Sequence, residues 1–173
     1  MSEYKAIIEA LVFASEFPLS PDKITEVIPD LKKDEIERLI RELMSEYEER
    51  HGGVYIQEIA GGFQLRTRED LGRWINRLMG GRSMAITTAA METLAVIAYR
   101  QPVVKSEIDK IRGVDVSGSL RGLLEKKLVR IMGRKDVPGK PIIYGTTKKF
   151  LEVFNLKDLS ELPTLRELKD LQE

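Results

Sequence analysis

Apolar residues recur every three or four positions through much of the first fifty residues, which is the spacing of one face of a helix. Residues 4–15 and 34–50 show this pattern, with mostly charged and polar side chains at the positions between. Between these runs, Ser20 followed by Pro21 is typical of a helix start, and Pro29 ends the segment. The pattern therefore predicts three helices in this part of the chain.

Two short β-prone runs follow the third helix. VYIQEI (54–59) and FQLRT (63–67) flank the tripeptide AGG, and glycine supplies the positive φ angles that tight hairpin turns need. Three helices followed by a hairpin predict a winged helix. Thr67, with an acid three residues on, then predicts a capped fourth helix that carries Trp74. We interpret Trp74 as a core residue or, as the sharper alternative, as a dimer contact.

The second half of the chain repeats this plan. The tetrapeptide LVFA aligns with AVIA 84 residues later, and Ile24 aligns with Ile108 at the same offset. By Thr147, which matches Thr67, the offset has fallen to 80 because four residues are missing across the third helix and wing. The repeat therefore predicts a second winged helix.

This second repeat has its own predicted elements. An apolar helix at 91–99 is followed by a turn at Pro102, and a third helix spans 117–127. Strands at 128–132 and 141–145 flank the wing GRKDVPGK. After them, Thr147 is expected to cap a last helix.

Together these elements predict an α+β, mainly helical fold of two tandem winged-helix domains related by an internal repeat. We expect an N-terminal, dimerising domain at 1–80, a linker at 81–83 and a partner-binding C-terminal domain at 84–155. Residues 156–173 form an acidic, Leu-rich tail that is expected to be partly ordered.

Composition narrows the class of protein. The 173 residues are 42% hydrophobic and 32% charged, which are globular proportions, and no apolar run approaches the roughly 18 residues that a membrane span needs. The first residues lack a basic leader and a small-residue cleavage site. The chain has no Cys, which excludes disulfides, thiolate catalysis and Cys-type zinc sites. We expect a cytoplasmic protein with no membrane partner.

The charge is divided unevenly along the chain although its formal net value is zero. Residues 1–80 hold 11 basic and 16 acidic side chains, a net −5, whereas residues 84–150 hold 13 and 6, a net +7. Residues 151–173 return to −3. A neutral total argues against a protein that coats DNA indiscriminately, while the basic second half needs an explanation of its own.

Candidate catalytic and ligand sites are weak. Residues 133–140 resemble a P-loop superficially, but five residues separate the two glycines and Pro141 stands where Ser or Thr is required. His51, the only histidine, precedes two glycines and is interpreted as a helix-end residue. We therefore predict no catalytic residue, no metal and no cofactor, and a protein that is not an enzyme.

The basic second domain could meet DNA, an acidic helical partner or water alone. Its third helix, SGSLRGLLEKKL, offers few side chains for base edges, so sequence-specific DNA readout is disfavoured. The commonest explanation for such a cluster of charges is a solvated surface without a binding role. Of the two binding explanations, we favour an acidic protein partner over DNA. The residues chosen for partner binding are Arg100, Gln101, Arg112, Arg121, Lys126, Arg134 and Lys140.

Several motifs resemble one known family. TLAVIAYRQPVVKSEIDKIRGV is the most specific, followed by GRKDVPGKPIIYGTT, FLEVFNLKDLSELP and, more weakly, ALVFASEFPLS. With these motifs the chain resembles the segregation and condensation protein B (ScpB) family, accessory subunits of the bacterial Smc-kleisin complex. Two details differ from the pattern of that family. Val104-Lys105 stands where Thr-Arg is usual, and Lys140 replaces an Arg in the wing.

The resemblance implies a function that composition alone does not. It implies tandem winged helices, a homodimer formed through the N-terminal domains, and binding of the kleisin subunit (ScpA). The Smc ATPase would be reached through the kleisin, DNA would be touched weakly or indirectly, and the protein would associate with the nucleoid through the complex. The expected role is a non-enzymatic scaffold in chromosome condensation and partition. The alternative is a winged-helix DNA-binding transcriptional regulator that uses the basic C-terminal domain.

Overall fold

The chain divides into two compact units. The computed structural model describes residues 3–80, 86–164 and 167. One unit combines Met1–Ser83 with Asn155–Glu173, and the other is Met84–Phe154. The predicted linker at 81–83 lies outside the described residues, as does most of the predicted tail beyond Thr164.

The first unit places its helices before its hairpin. Its helices and strands, in chain order, are α1 (Glu3–Ala14), α2 (Pro21–Val27), α3 (Lys33–Glu49), β1 (Val54–Ile59), β2 (Gly62–Thr67) and α4 (Gly72–Leu78). As predicted, the Ser20 hydroxyl caps α2, where it accepts a hydrogen bond from the Lys23 N–H at 3.3 Å. The core combines the buried sides of α1 to α3 with the hairpin, and Ile8, Ile24, Ile36 and Ile40 are completely buried in it.

A third extended segment joins the β1–β2 hairpin. Leu19 exchanges two backbone hydrogen bonds with Phe63 of β2, at 2.8 and 3.0 Å. Gly62 makes this approach possible, because a Cβ there would lie 2.8–2.9 Å from backbone atoms of Pro18 and Leu19. The hairpin is thereby fixed against the turn that follows α1.

Two sequence interpretations in this unit are wrong. Thr67 does not cap a helix, because it is the last residue of β2 and pairs with Val54. A 3-10 turn at Glu69–Leu71 intervenes before α4 begins. Trp74 is 54% exposed and so is not a core residue of this unit. The periodicity of the segment is helical, but the helix presents its largest side chain outward.

A segment that we call the strap, residues 155–162, completes the first unit. The Leu156 carbonyl accepts a hydrogen bond from the Ala60 N–H at the hairpin turn, at 3.0 Å. Arg66 donates to the Asn155 side-chain oxygen at 2.8 Å, and Lys157 pairs with Glu58 at 3.2 Å. The beginning of the predicted tail is therefore a structural part of this unit.

The second unit contains a three-stranded sheet. Its helices and strands are α5 (Thr88–Arg100), β3 (Val103–Val104), α6 (Lys105–Arg112), α7 (Ser117–Glu125), β4 (Val129–Arg134), β5 (Ile142–Thr146) and α8 (Lys148–Val153). The strand order is β3-β5-β4, with both pairs antiparallel. The sequence did not predict β3, because two residues are too few to show alternation. α5 packs against α6 and α7 and supplies the fully buried Ile97.

Two helices of the second unit begin in different ways, one with a hydroxyl cap and one without. Thr147 caps α8 as predicted, accepting a hydrogen bond from the Phe150 N–H at 3.1 Å. At the start of α6, Val104 has no hydroxyl to offer. The Glu107 carboxylate instead accepts a hydrogen bond from the Val104 N–H at 3.4 Å, which is one half of a capping box.

Burial tests the internal alignment residue by residue. At the 84-residue offset, Ile24 and Ile108 are both completely buried. The same offset pairs Phe13, which is 75% exposed, with the buried Ile97. The first helices of the two units therefore face their cores in different registers.

Candidate partner-binding surface

The seven residues predicted for partner binding all lie in the second unit, on four different parts of it. Arg100 ends α5 and is exposed, and Gln101 follows it in the turn before β3. The others lie on α6, on α7 and at the ends of the β4–β5 hairpin loop. Their hydrogen bonds and ion pairs divide them into engaged and available side chains.

Gln101 is engaged inside the unit. Its side-chain oxygen accepts a hydrogen bond from the Thr146 N–H at 2.8 Å, and its amide nitrogen donates to the Ala98 carbonyl at 3.1 Å. Gly145 leaves the space that this arrangement needs, because a Cβ there would lie 2.9 Å from the Gln101 oxygen. The carboxamide thus joins the end of α5 to the end of β5.

Arg112 is also engaged. Its guanidinium pairs with Glu92 of α5, and its side chain is 17% exposed. The Nε atom is buried without a hydrogen-bond partner among the described residues. This arginine therefore ties α6 to α5, and little of it is left for a partner.

The start of α6 neutralises a further cation. Lys105 pairs with Asp109 at 2.7 Å and also with Asp115. These hydrogen bonds raise the pKa of Lys105, and the same lysine, with the Val116 N–H, lowers the pKa of Asp109. The net positive charge of the second unit is consequently less concentrated here than the sequence suggests.

On α7, Arg121 is exposed and pairs with Glu125 one turn later, at 2.9 Å. Lys126 follows the helix and borders a groove of about 350 Å³ between the start of α5 and α7. The groove is lined by Ala90, Gly118 and Ser119 among other residues, so its walls are mostly small. The exposed ion pair between Arg121 and Glu125 contributes little free energy by itself.

The wing keeps its cations available. Arg134 donates a hydrogen bond to the Lys140 carbonyl at 3.1 Å, which closes the loop while both charged groups remain exposed. Arg130, which was not among the chosen residues, lies on the same hairpin and donates from Nε to the Thr146 carbonyl at 3.2 Å. Within the described residues, none of these three cations forms an ion pair with a carboxylate.

The hairpin also exposes apolar side chains that the sequence analysis did not select. Ile131 is 55% and Met132 48% exposed, both on β4. Five of the six β4 residues are exposed, whereas β5 is half-buried or buried throughout. Consecutive apolar residues in a strand are a signal that could have indicated such a surface.

The predicted dimer contact, Trp74, lies on α4 of the first unit. The Arg73 guanidinium lies 4.6 Å from the centroid of its ring, and Leu78 and Met79 beside it are exposed. Trp74 and Leu78 lie one turn apart on α4 and Met79 follows the helix, so three large apolar side chains, each more than half exposed, are spread along this short element.

Neither a metal site nor a membrane span is found in the part of the chain that the structure describes. No group of three or more His, Asp or Glu side chains there could hold a metal ion. None of the described helices has both the length and the hydropathy to cross a bilayer.

A family model for the segregation and condensation complex subunit ScpB matches residues 6–165. This chain belongs to the ScpB family. It is 46% identical over 169 residues to the segregation and condensation protein B of Syntrophotalea carbinolica, covering 98% of this chain and 85% of that protein. The ScpB protein of Symbiobacterium thermophilum is 47% identical over 159 residues, covering 92% of this chain and 72% of that one.

One solved structure is also similar to a part of the chain. It is described as the dimer of an ScpB N-terminal domain complexed with an ScpA peptide. The identity is 30% and the TM-score 0.40, and the match covers 43% of this chain and 93% of that one.

Proposed function

We propose that this protein is a non-enzymatic, homodimeric scaffold that binds the kleisin subunit ScpA of the Smc complex during chromosome condensation and partition. The observation that carries the proposal is membership of the ScpB family over residues 6–165. Catalysis in such an assembly would belong to the Smc ATPase, which this chain would reach through the kleisin.

We also propose that both units are winged helices. In the second unit, the order α5-β3-α6-α7-β4-β5 with sheet order β3-β5-β4 supports this. In the first unit, the pairing of Leu19 with β2 supplies an equivalent of β3. The domain roles proposed for the two units are dimerisation for the first and partner binding for the second.

Light scattering coupled to size exclusion, with and without the cognate ScpA chain, tests the scaffold. We expect a dimer alone and a stable complex with ScpA. A monomer that ignores ScpA would contradict the proposal.

The dimer contact is tested in the same way by Trp74→Asp, with Val27→Asp as a matched control. Both side chains are 54% exposed and lie on helices of the first unit. We expect the Trp74 variant to dissociate and the control to remain a dimer, because a buried charge disfavours an apolar interface.

A DNA-binding regulator is the second candidate function. Arg130, Arg134 and Lys140 on the β4–β5 hairpin favour it, because none of them forms an ion pair with a carboxylate among the described residues. The pairing of Arg121 with Glu125 weakens the case for α7 as a reading helix. Binding to duplex DNA that shows sequence preference at near-physiological salt would support this candidate. Binding that disappears with modest salt would make any DNA contact auxiliary.

A further inference from the structure

The two hairpins of this protein differ in whether the backbone of another segment of the chain hydrogen-bonds to their turn. The strap lies on the β1–β2 hairpin through the bond from the Ala60 N–H to the Leu156 carbonyl and the Lys157–Glu58 pair. In the second unit, β4 has β5 as its one strand neighbour among the described residues, and its other edge is open. Among the described residues, one hairpin thus carries a further segment of its own chain at its turn, and the other hairpin carries none.

We infer that the open edge of β4 is a docking strand for an extended, acidic segment of the kleisin partner, an inference that rests on the proposed function. The segment would lie beside β4, place an aliphatic side chain on Ile131 and Met132, and direct carboxylates to Arg134 and Lys140. An edge strand with unpaired backbone groups is suited to such an addition, since main-chain hydrogen bonds supply affinity and side chains supply specificity.

Charge decides which occupant fits. On the first unit, the acidic Glu58 receives a lysine from the strap. On the second, Arg130, Arg134 and Lys140 lack carboxylate partners within the described residues, so the complementary segment carries Asp or Glu. Asp136 is the one acid within the loop, and Lys135 is already paired with Glu107 at 3.3 Å.

The same charges argue against two other occupants. A second copy of this chain pairing edge to edge through β4 would bring Arg130 and Arg134 against like charges, which destabilises cross-strand pairs. Duplex DNA would satisfy the cations, but phosphate contacts would leave the exposed Ile131 and Met132 in water. An acidic segment with an aliphatic residue uses both features.

A bulge shapes the edge. Between Ile131 and Gly133 the register with β5 shifts by one residue, so Met132 has no partner in the ladder. Its side chain lies over Gly145, where a Cβ would collide with the Met132 sulfur. The bulge twists the strand and limits pairing to a short stretch, which suits a brief segment better than a long strand.

The test measures the affinity of full-length protein for the cognate ScpA chain by titration calorimetry. The variant is Arg134→Glu with Lys140→Glu. Its control is Lys110→Glu with Lys148→Glu, which makes the same charge change on exposed residues of α6 and α8. We expect the wing variant to weaken binding at least tenfold and the control less than twofold, with circular dichroism unchanged for both.

Hydrogen exchange supplies a second readout that charge attraction alone would not give. We expect the amides of residues 129–134 to exchange about tenfold more slowly when ScpA is bound. If the wing variant binds ScpA as wild type does, or if these amides stay unprotected, the docking strand is overturned while the scaffold stands. If wild-type protein does not bind ScpA, the proposed function itself fails. If the wing variant loses binding to a 30-bp duplex but keeps ScpA, the surface belongs to DNA and the inference is overturned.

Discussion

The first unit closes its hairpin with the protein's own strap, whereas the second leaves β4 exposed along most of its length. The two units share an order of elements, and Ile24 and Ile108 hold equivalent buried places. The two units differ in the contacts and charges of their hairpins. In the acidic unit, the strap bonds to the hairpin turn and pairs with Glu58. In the basic unit, the hairpin carries exposed apolar side chains and cations that have no carboxylate partner among the described residues. We relate this difference between the hairpins to the structural and binding roles proposed for the two units.

The largest expected effect is on folding stability and concerns Gly62 in the first hairpin, compared with Gly145 in the second. Gly62→Ala should lower the free energy of unfolding of the first unit by about 2–3 kcal/mol, because the new Cβ would press on the backbone of Pro18 and Leu19. Gly145→Ala in the second unit should cost about 1 kcal/mol, since the Met132 and Gln101 side chains that it meets can move.

Urea unfolding followed by Trp74 fluorescence reports on the first unit, and local amide exchange reports on each unit separately. Gly52→Ala is the control, because a Cβ at Gly52 would meet nothing within 4 Å. Equal losses of unfolding free energy in the Gly62 and Gly145 variants would show that the two hairpins are equally constrained, which would contradict the expected difference between them.

A smaller effect is expected where the strap begins. Asn155 has a φ of 56° and accepts a hydrogen bond from Arg66 while its amide donates to Glu69 at 3.2 Å. Asn155→Ala should cost about 1–2 kcal/mol in strap docking, because it loses these bonds and disfavours the left-handed backbone.

Exchange of the Ala60 amide, which the strap protects, measures this loss. Asn155→Gly separates the two causes, since it keeps the backbone conformation and loses only the bonds. Unchanged protection of Ala60 in the alanine variant would mean that the strap is held by other contacts.

The smallest effect concerns the caps of the second helix in each unit. Ser20 caps α2, and Val104 stands at the equivalent place before α6. Val104→Thr should complete the capping box with Glu107 and stabilise α6 by up to about 1 kcal/mol, less the cost of placing a hydroxyl at a buried position.

Ser20→Ala, as the mirror change, should destabilise α2 by a similar amount. The thermal midpoint and the exchange rates of the first turn of each helix measure both. A loss of stability in Val104→Thr would indicate that burial of the hydroxyl outweighs the cap.

Periodicity and capping chemistry predicted much of this fold because both are local. The helices α1 to α3, both hairpins, and the Ser20 and Thr147 caps follow from residues that are neighbours in sequence. Thr67 shows the limit of that reasoning. Its spacing to Asp70 fits a cap, but its backbone is already paired in β2 with Val54.

The candidate surface was less predictable because ion pairing depends on contacts distant in sequence. Arg112 and Gln101 have the polarity of binding residues, yet Glu92 and Thr146 engage them from 20 and 45 residues away. Conversely, β4 was recognised as a strand, but nothing in VRIMGR reveals which edge stays open. Charge counting indicated that the second unit is basic, but it could not show which of its cations are already paired within the unit.

The strap also gives the protein an order of biosynthesis. The hydrogen bond from Ala60 to Leu156 joins residues 96 positions apart, with the whole second unit translated between them. At the usual 5–20 residues per second, the ribosome needs about 5–20 s to synthesise that stretch. The unit that is synthesised first is therefore completed last. The Ala60 N–H at its hairpin turn has no bond to the strap until the second unit has been translated.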